Sequence, residues 1–128
     1  METIKGKDAE LERGDAGRFT GTVWINPRFK SADGTDVHVV SFDPGARTHW
    51  HSHPGGQFLV GLAGRGRARS RDGAGETLEP GDMVYVEPGE VHFHGGSPDS
   101  PLSHVAVNRG GAPDWLEPVT DEEYGAGF

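Results

Sequence analysis

The sequence predicts an all-β fold in a single domain, two sheets packed as a sandwich or closed into a barrel, and three observations carry that expectation. Short β-branched or aromatic runs recur along the chain, turn residues separate them, and 128 residues suffice for one core but not for two. Gly (21) and Pro (9) approach the level seen in disordered chains, but the hydrophobic pattern that accompanies them makes them turn formers instead.

Residues 1–17 alternate charge without an apolar pattern and are expected to form an arm. The sandwich core is expected over 18–110, with strands in the runs at 19–25, 37–42, 49–53 and 57–63, then at 67–71, 83–87, 91–94 and 103–108. Asp43-Pro44-Gly45, Asp72-Gly73, Glu79-Pro80-Gly81-Asp82 and Glu87-Pro88-Gly89-Glu90 end one strand and begin the next. Residues 61–66 (GLAGRG) read as a hairpin turn, because they lack both the Lys of a phosphate loop and a following helix. Residues 111–128 are expected to be a tail, and only 7–14 and 121–124 have helical character, neither as a core element.

Composition excludes several classes of function. A net charge of −8 repels nucleic acid and anionic lipid, and the absence of cysteine rules out disulfides, thiolate chemistry and iron–sulfur clusters. With no apolar run of membrane-spanning length and no signal-peptide pattern, the expectation is a soluble, cytoplasmic protein. Arg65, Arg67, Arg69 and Arg71 share one face of their strand, read as solvated, with an anion-attracting mouth as the alternative.

The histidines carry the functional signal, because all seven lie between positions 38 and 104. Strand parity places His49, His51, His53 and Gln57 on one face, and His92 and His94 together on a later strand. Such nitrogen and oxygen donors suit one divalent transition metal, with zinc, manganese, iron, nickel and copper all compatible.

The spacing around these histidines resembles that of the cupin superfamily. The first cupin motif is matched by Gly45, His51, His53, Gln57 and Gly64, with Gln in the usual Glu position. The second is matched by Gly81, Gly89 and His92, with Pro88 displaced by one and Gly96 in place of the motif's Asn. FTGTV, PGART, PGEVHFHG and DWLEPVTDEEY further resemble small cupins that include manganese-dependent hydroxynitrile lyases, and the chain is similar to zinc-containing polyketide cyclases. The resemblance implies a cupin jelly roll, a homodimer, and one metal per subunit on His51, His53, Gln57 and His92, with zinc or manganese first.

A neutral ligand set leaves the metal its full charge, which favours polarisation of a carbonyl or enolate over oxygen activation. His104 and His94 are the expected general bases, and His49 a further acid–base group or extra ligand. His38, Val40, Phe42 and Thr48 are expected to line the substrate pocket. The expected substrate is a small carbonyl or aromatic compound. Aldol-type cyclisation of a polyketide ranks first because His38 and His49 depart from the lyase pattern. Cyanohydrin cleavage comes second, followed by a quercetinase-like dioxygenase or a non-catalytic binding module. Trp50 points away from the ligands, and Trp115 either caps the pocket or packs across a dimer.

Overall fold

The computed structural model describes residues 1–128. A three-residue 3₁₀ turn at Gly6–Asp8 precedes thirteen strands, of which the first six are β1 (Glu12–Arg13), β2 (Phe19–Thr20), β3 (Val23–Lys30), β4 (Asp36–Phe42), β5 (Arg47–Thr48) and β6 (His51–Ser52). They continue with β7 (Gln57–Gly64), β8 (Gly66–Ser70), β9 (Gly75–Leu78), β10 (Met83–Val86), β11 (His92–Gly96), β12 (Leu102–Asn108) and β13 (Asp114–Trp115). The short helix α1 (Asp121–Gly125) closes the chain.

Two antiparallel sheets face each other, one in the order β1-β3-β4-β12-β7-β10 and the other β13-β6-β11-β5-β2, with β8 and β9 extending from β11. This is the expected two-sheet, all-β architecture. Alternation along β12 sets the layers, since Leu102, His104, Ala106 and Asn108 are buried while the residues between them are less so. Their partners on β4 and β7 place Val40, His38 and Asp36, and Gly61, Leu59 and Gln57, on the same inner face. That face therefore grades from an apolar end at Phe42 and Leu102 to a polar end at Asp36, Asn108 and Gln57. Phe19, Val23, Phe42, Leu59, Leu78 and Leu102 fill the apolar end.

Four expectations about elements are corrected. Residues 61–66 are no hairpin turn, because 61–64 belong to β7 and 66 to β8 and the chain crosses from one sheet to the other at Arg65. The run 19–25 is two strands, because Gly21 at φ +82° turns the chain against the Ala46 side chain. Residues 7–14 form no α-helix: beyond the 3₁₀ turn at Gly6–Asp8 the chain is extended, and Glu12–Arg13 pairs with Trp24 and Ile25 at the sheet edge. The tail does supply a core element: Tyr124 of α1 packs with Trp50, Phe93 and Val119 in a second cluster on the outer side of the other sheet.

The row from Arg65 to Arg71 is not a freely solvated face. Arg67 and Arg69 donate to the carbonyls of Tyr124 and Glu123, Arg71 pairs with Glu117, and Arg69 and Arg71 lie over Trp50. Buried Arg47 adds bonds to the Val119 carbonyl and Asp121. A sheet of alternating arginines thus straps down a tail whose own apolar residues are too few to hold it.

Candidate metal centre and its pocket

The site begins with strand register. β11 pairs with β6 so that His92 lies opposite His51, which brings their rings to 4.3 Å between centroids. His53 follows two residues after His51, and the Pro54-Gly55-Gly56 turn leads to Gln57 at the start of β7. That turn demands glycine: a Cβ on Gly55 would lie 2.7 Å from the Arg109 backbone, and Gly56 has φ +84°. The ligand nitrogens of His51, His53 and His92 lie within 4.8 Å of one another, and all three rings are buried.

The hydrogen bonds set the tautomers. His51 Nδ1 lies 2.9 Å from its His49 carbonyl acceptor, and His92 Nδ1 3.0 Å from that of Glu90, so each Nδ1–H donates and each Nε2 presents a lone pair. Both ring nitrogens of His53 lack a hydrogen-bond partner despite burial. Gln57 donates its amide to Asn108 Oδ1 at 2.7 Å, which turns Gln57 Oε1 toward His92 Nε2 at 2.8 Å. Two acceptors at that distance repel each other unless a proton or cation neutralises them. Burial lowers the pKa of His92, which disfavours the proton and leaves the cation. The donor set therefore fits a metal, with unshared pairs on three imidazoles and one amide oxygen.

Burial dominates the electrostatics of the whole cluster. It pushes His51 well below its usual range and His53 down to about 4, with neighbouring imidazoles adding to both shifts. All of these rings are neutral near pH 7, the form that binds metals.

A cavity of about 310 Å³ opens above the cluster. His51, His53, Gln57 and His94 line its floor, with Val40, Phe19, Ile25 and Trp115 on the walls. Trp115 stacks on His51 at 4.6 Å between centroids, so it lines the pocket within its own subunit. His38, Val40 and Thr48 reach the cavity. Phe42 does not: it lies in the core behind the wall, against His94 and His104.

His94 and His104 form a pair, with His104 Nε2 2.9 Å from His94 Nδ1. His94 borders the cavity and its Nε2 has no partner, whereas His104 is fully buried behind it and does not line the cavity. Burial pushes His104 down to about 3 and His94 well below its ordinary range. His49 is absent from the cavity wall. Residues 49–50 lie outside the flanking strands, which breaks the parity that aligned His49 with the ligands; its ring instead faces Gly17 and Asp15.

Asn108 and Asp36 join the site without having been assigned to it from the sequence. Parity held the signal for both, since Asn108 shares a face with His104 and Asp36 with His38. Asp36 pairs with Arg28 at 2.7 Å and lies 3.6 Å from His38 Nδ1.

Comparison with known proteins agrees with this architecture. Residues 38–108 match the Cupin domain family, more than half of the chain. The chain is 48% identical over 117 residues to an (R)-mandelonitrile lyase from Granulicella tundricola, covering 88% of this chain and 89% of that protein. A cupin-like protein from Thermotoga maritima superposes with a TM-score of 0.85 at 40% identity, over 90% of this chain and 91% of that one. The polyketide cyclase RemF from Streptomyces resistomycificus shares the fold, with a TM-score of 0.75 at 17% identity over 97% of this chain and 90% of its own. A histidine cluster built for a metal, held between the two sheets of a jelly roll, and a family match over most of the strands together place this chain in the cupin family.

Proposed function

We propose that this protein is a metal-dependent lyase that cleaves a cyanohydrin into a carbonyl compound and hydrogen cyanide. The observation that carries the reading is a small cavity with an unpartnered imidazole nitrogen, His94 Nε2, beside a metal-ligand cluster. At about 310 Å³ the cavity is near the lower end of the ~300–1,000 Å³ typical of ligand sites, which suits a one-ring substrate better than a multi-ring polyketide. Size thus reverses the order expected from the sequence, in which cyclisation came first, and 48% identity to a mandelonitrile lyase supports the same reading.

His51, His53, Gln57 and His92 would hold the metal, one per subunit, with manganese or zinc first among the candidates. When bound, it supplies Lewis acidity toward the substrate oxygen. In the tautomer this role requires, His94 Nδ1–H donates to His104 Nε2 and His94 Nε2 is free to accept the hydroxyl proton. The electron pair of the O–H bond forms the carbonyl, and that of the C–CN bond departs on cyanide. His94 then returns its proton to cyanide, so that atoms and charge balance. Val40, Phe19 and Trp115 exclude water and hold the apolar end. His104 acts by orienting His94, and His38 stands on the wall beside Asp36 as a further proton-transfer group. Of the sequence-nominated groups, His49 has no part in this scheme.

The homodimer implied by the cupin resemblance is proposed to form through the outer face of the β4–β12–β7–β10 sheet. Val37, Phe58, Leu62, Met83 and Tyr85 are exposed there side by side.

The test is release of benzaldehyde and cyanide from mandelonitrile, in air and anaerobically, by protein stripped with chelator and reloaded with manganese, zinc or iron. Turnover restored by metal, insensitive to oxygen and absent in a His51→Ala variant is expected. Turnover that survives stripping, or that no metal restores, would overturn the proposal.

A further inference from the structure

The cavity changes character between floor and mouth. At its outer end Arg18, Arg28 and Lys30 line it, with Asp36 as the single carboxylate. Three cations against one anion are notable in a chain with 12 basic and 20 acidic residues. Asp36 is already occupied by Arg28, through contacts of 3.2 and 2.7 Å. That pair neutralises itself and leaves Arg18 and Lys30. Arg18 touches only Asp15, at 3.8 Å with both side chains more than half exposed, a weak pair in water. Its guanidinium lies 5.7 Å from the Trp115 ring, the same ring that stacks on His51 at the floor. Lys30 is exposed and forms neither an ion pair nor a side-chain hydrogen bond; Asp36, its partner on the neighbouring strand, is held by Arg28, and Glu2 lines the outer hollow beside it.

We infer that the mouth of the pocket binds an anionic group, so that the natural substrate carries a carboxylate at the end remote from its reacting carbon. The inference rests on the lyase reading for the reaction but not for the anion site itself. The polar reacting end sits among the floor histidines, the apolar middle against Trp115 and Phe19, and the carboxylate between Arg18 and Lys30. An acidic surface with a local cationic mouth also draws anions inward while repelling them elsewhere, a field that focuses arrival at the site.

Binding of 4-carboxybenzyl alcohol and its neutral isostere 4-carbamoylbenzyl alcohol to metal-loaded protein, measured by titration calorimetry, tests this directly. Two partly exposed ion pairs predict that the acid binds about three- to tenfold tighter at low salt. Salt near 0.5 M, which shortens the screening length to a few ångströms, should erase most of that preference. In Arg18→Gln/Lys30→Gln the two ligands should bind alike, and Arg18→Lys/Lys30→Arg should restore the preference. Equal binding by the wild type overturns the inference. So does a preference that survives in the double Gln variant, because the carboxylate then binds the metal instead. The readout is independent of turnover: acid preference without mandelonitrile cleavage leaves the anion site standing and sinks only the lyase reading.

Discussion

Asn108 touches no metal ligand atom, yet its replacement by Leu should weaken metal binding sharply. Its Oδ1 accepts from Gln57 Nε2 at 2.7 Å, which alone decides which end of the Gln57 amide faces His92. Leu removes that acceptor at similar volume. A buried amide donor without a partner costs about 1–3 kcal/mol, and the side chain escapes the cost by turning over. Turned over, it donates to the His92 Nε2 lone pair and presents NH₂, not oxygen, to the metal. Loss of such an outer-layer partner typically weakens metal binding about 10- to 100-fold, or roughly 1.4–2.7 kcal/mol. The flipped NH₂ is satisfied by His92 but Oε1 then faces Leu without a donor, so the metal-free protein should lose about 1–3 kcal/mol. Competition with a chromophoric chelator measures the first quantity and urea unfolding of stripped protein the second. Asn108→Asp, which keeps the acceptor, should bind metal as the wild type does. Metal affinity within twofold of wild type in Asn108→Leu would refute the reasoning, since Gln57 would then be oriented by something else.

Three further outcomes are expected. His104→Leu, which has no acceptor, should retain about one metal per chain by elemental analysis yet lose most turnover, because His94 loses the acceptor that orients it; full activity would remove His104 from the mechanism. For the metal-free protein, His53 and His104 titrate near 6.5 when unfolded but at about 4 and about 3 when folded, so the unfolded state binds more protons below pH 6.5. Stability should hold above that pH and fall by about 1.4 kcal/mol per unit for each group as pH drops toward 4, with a shallower slope in His104→Gln, read from urea midpoints. Tyr124 packs on Phe93 and donates to the Gly96 carbonyl, so Tyr124→Ala should cost about 3 kcal/mol and Tyr124→Phe about 1, measured by thermal or urea unfolding. Equal losses would mean that the ring contributes no more than the hydroxyl.

Much of the fold was legible because period-two alternation and Gly-Pro turns are local signals. β12 shows it, with inward Leu102, His104, Ala106 and Asn108 readable from SHVAVN and its neighbours. β9 was missed: GETL is short, polar and largely exposed, and pairing with β8 creates the strand, not propensity. The tail was misjudged because its partners, Arg47, Arg67 and Arg69, lie more than fifty residues away.

The candidate site divides along the same line. Sequence parity put His51 and His53 on one face, and the resemblance to cupins is what joined His92 to them. Only the tertiary structure decided where each side chain lies. It turned His49 away because the chain leaves strand geometry there, set His104 behind His94, and put Arg18 and Lys30, not the Arg65–Arg71 row, on the cavity. Parity states which face a side chain takes; whether that face meets a cavity, a core or a tail depends on how the two sheets close and what packs upon them.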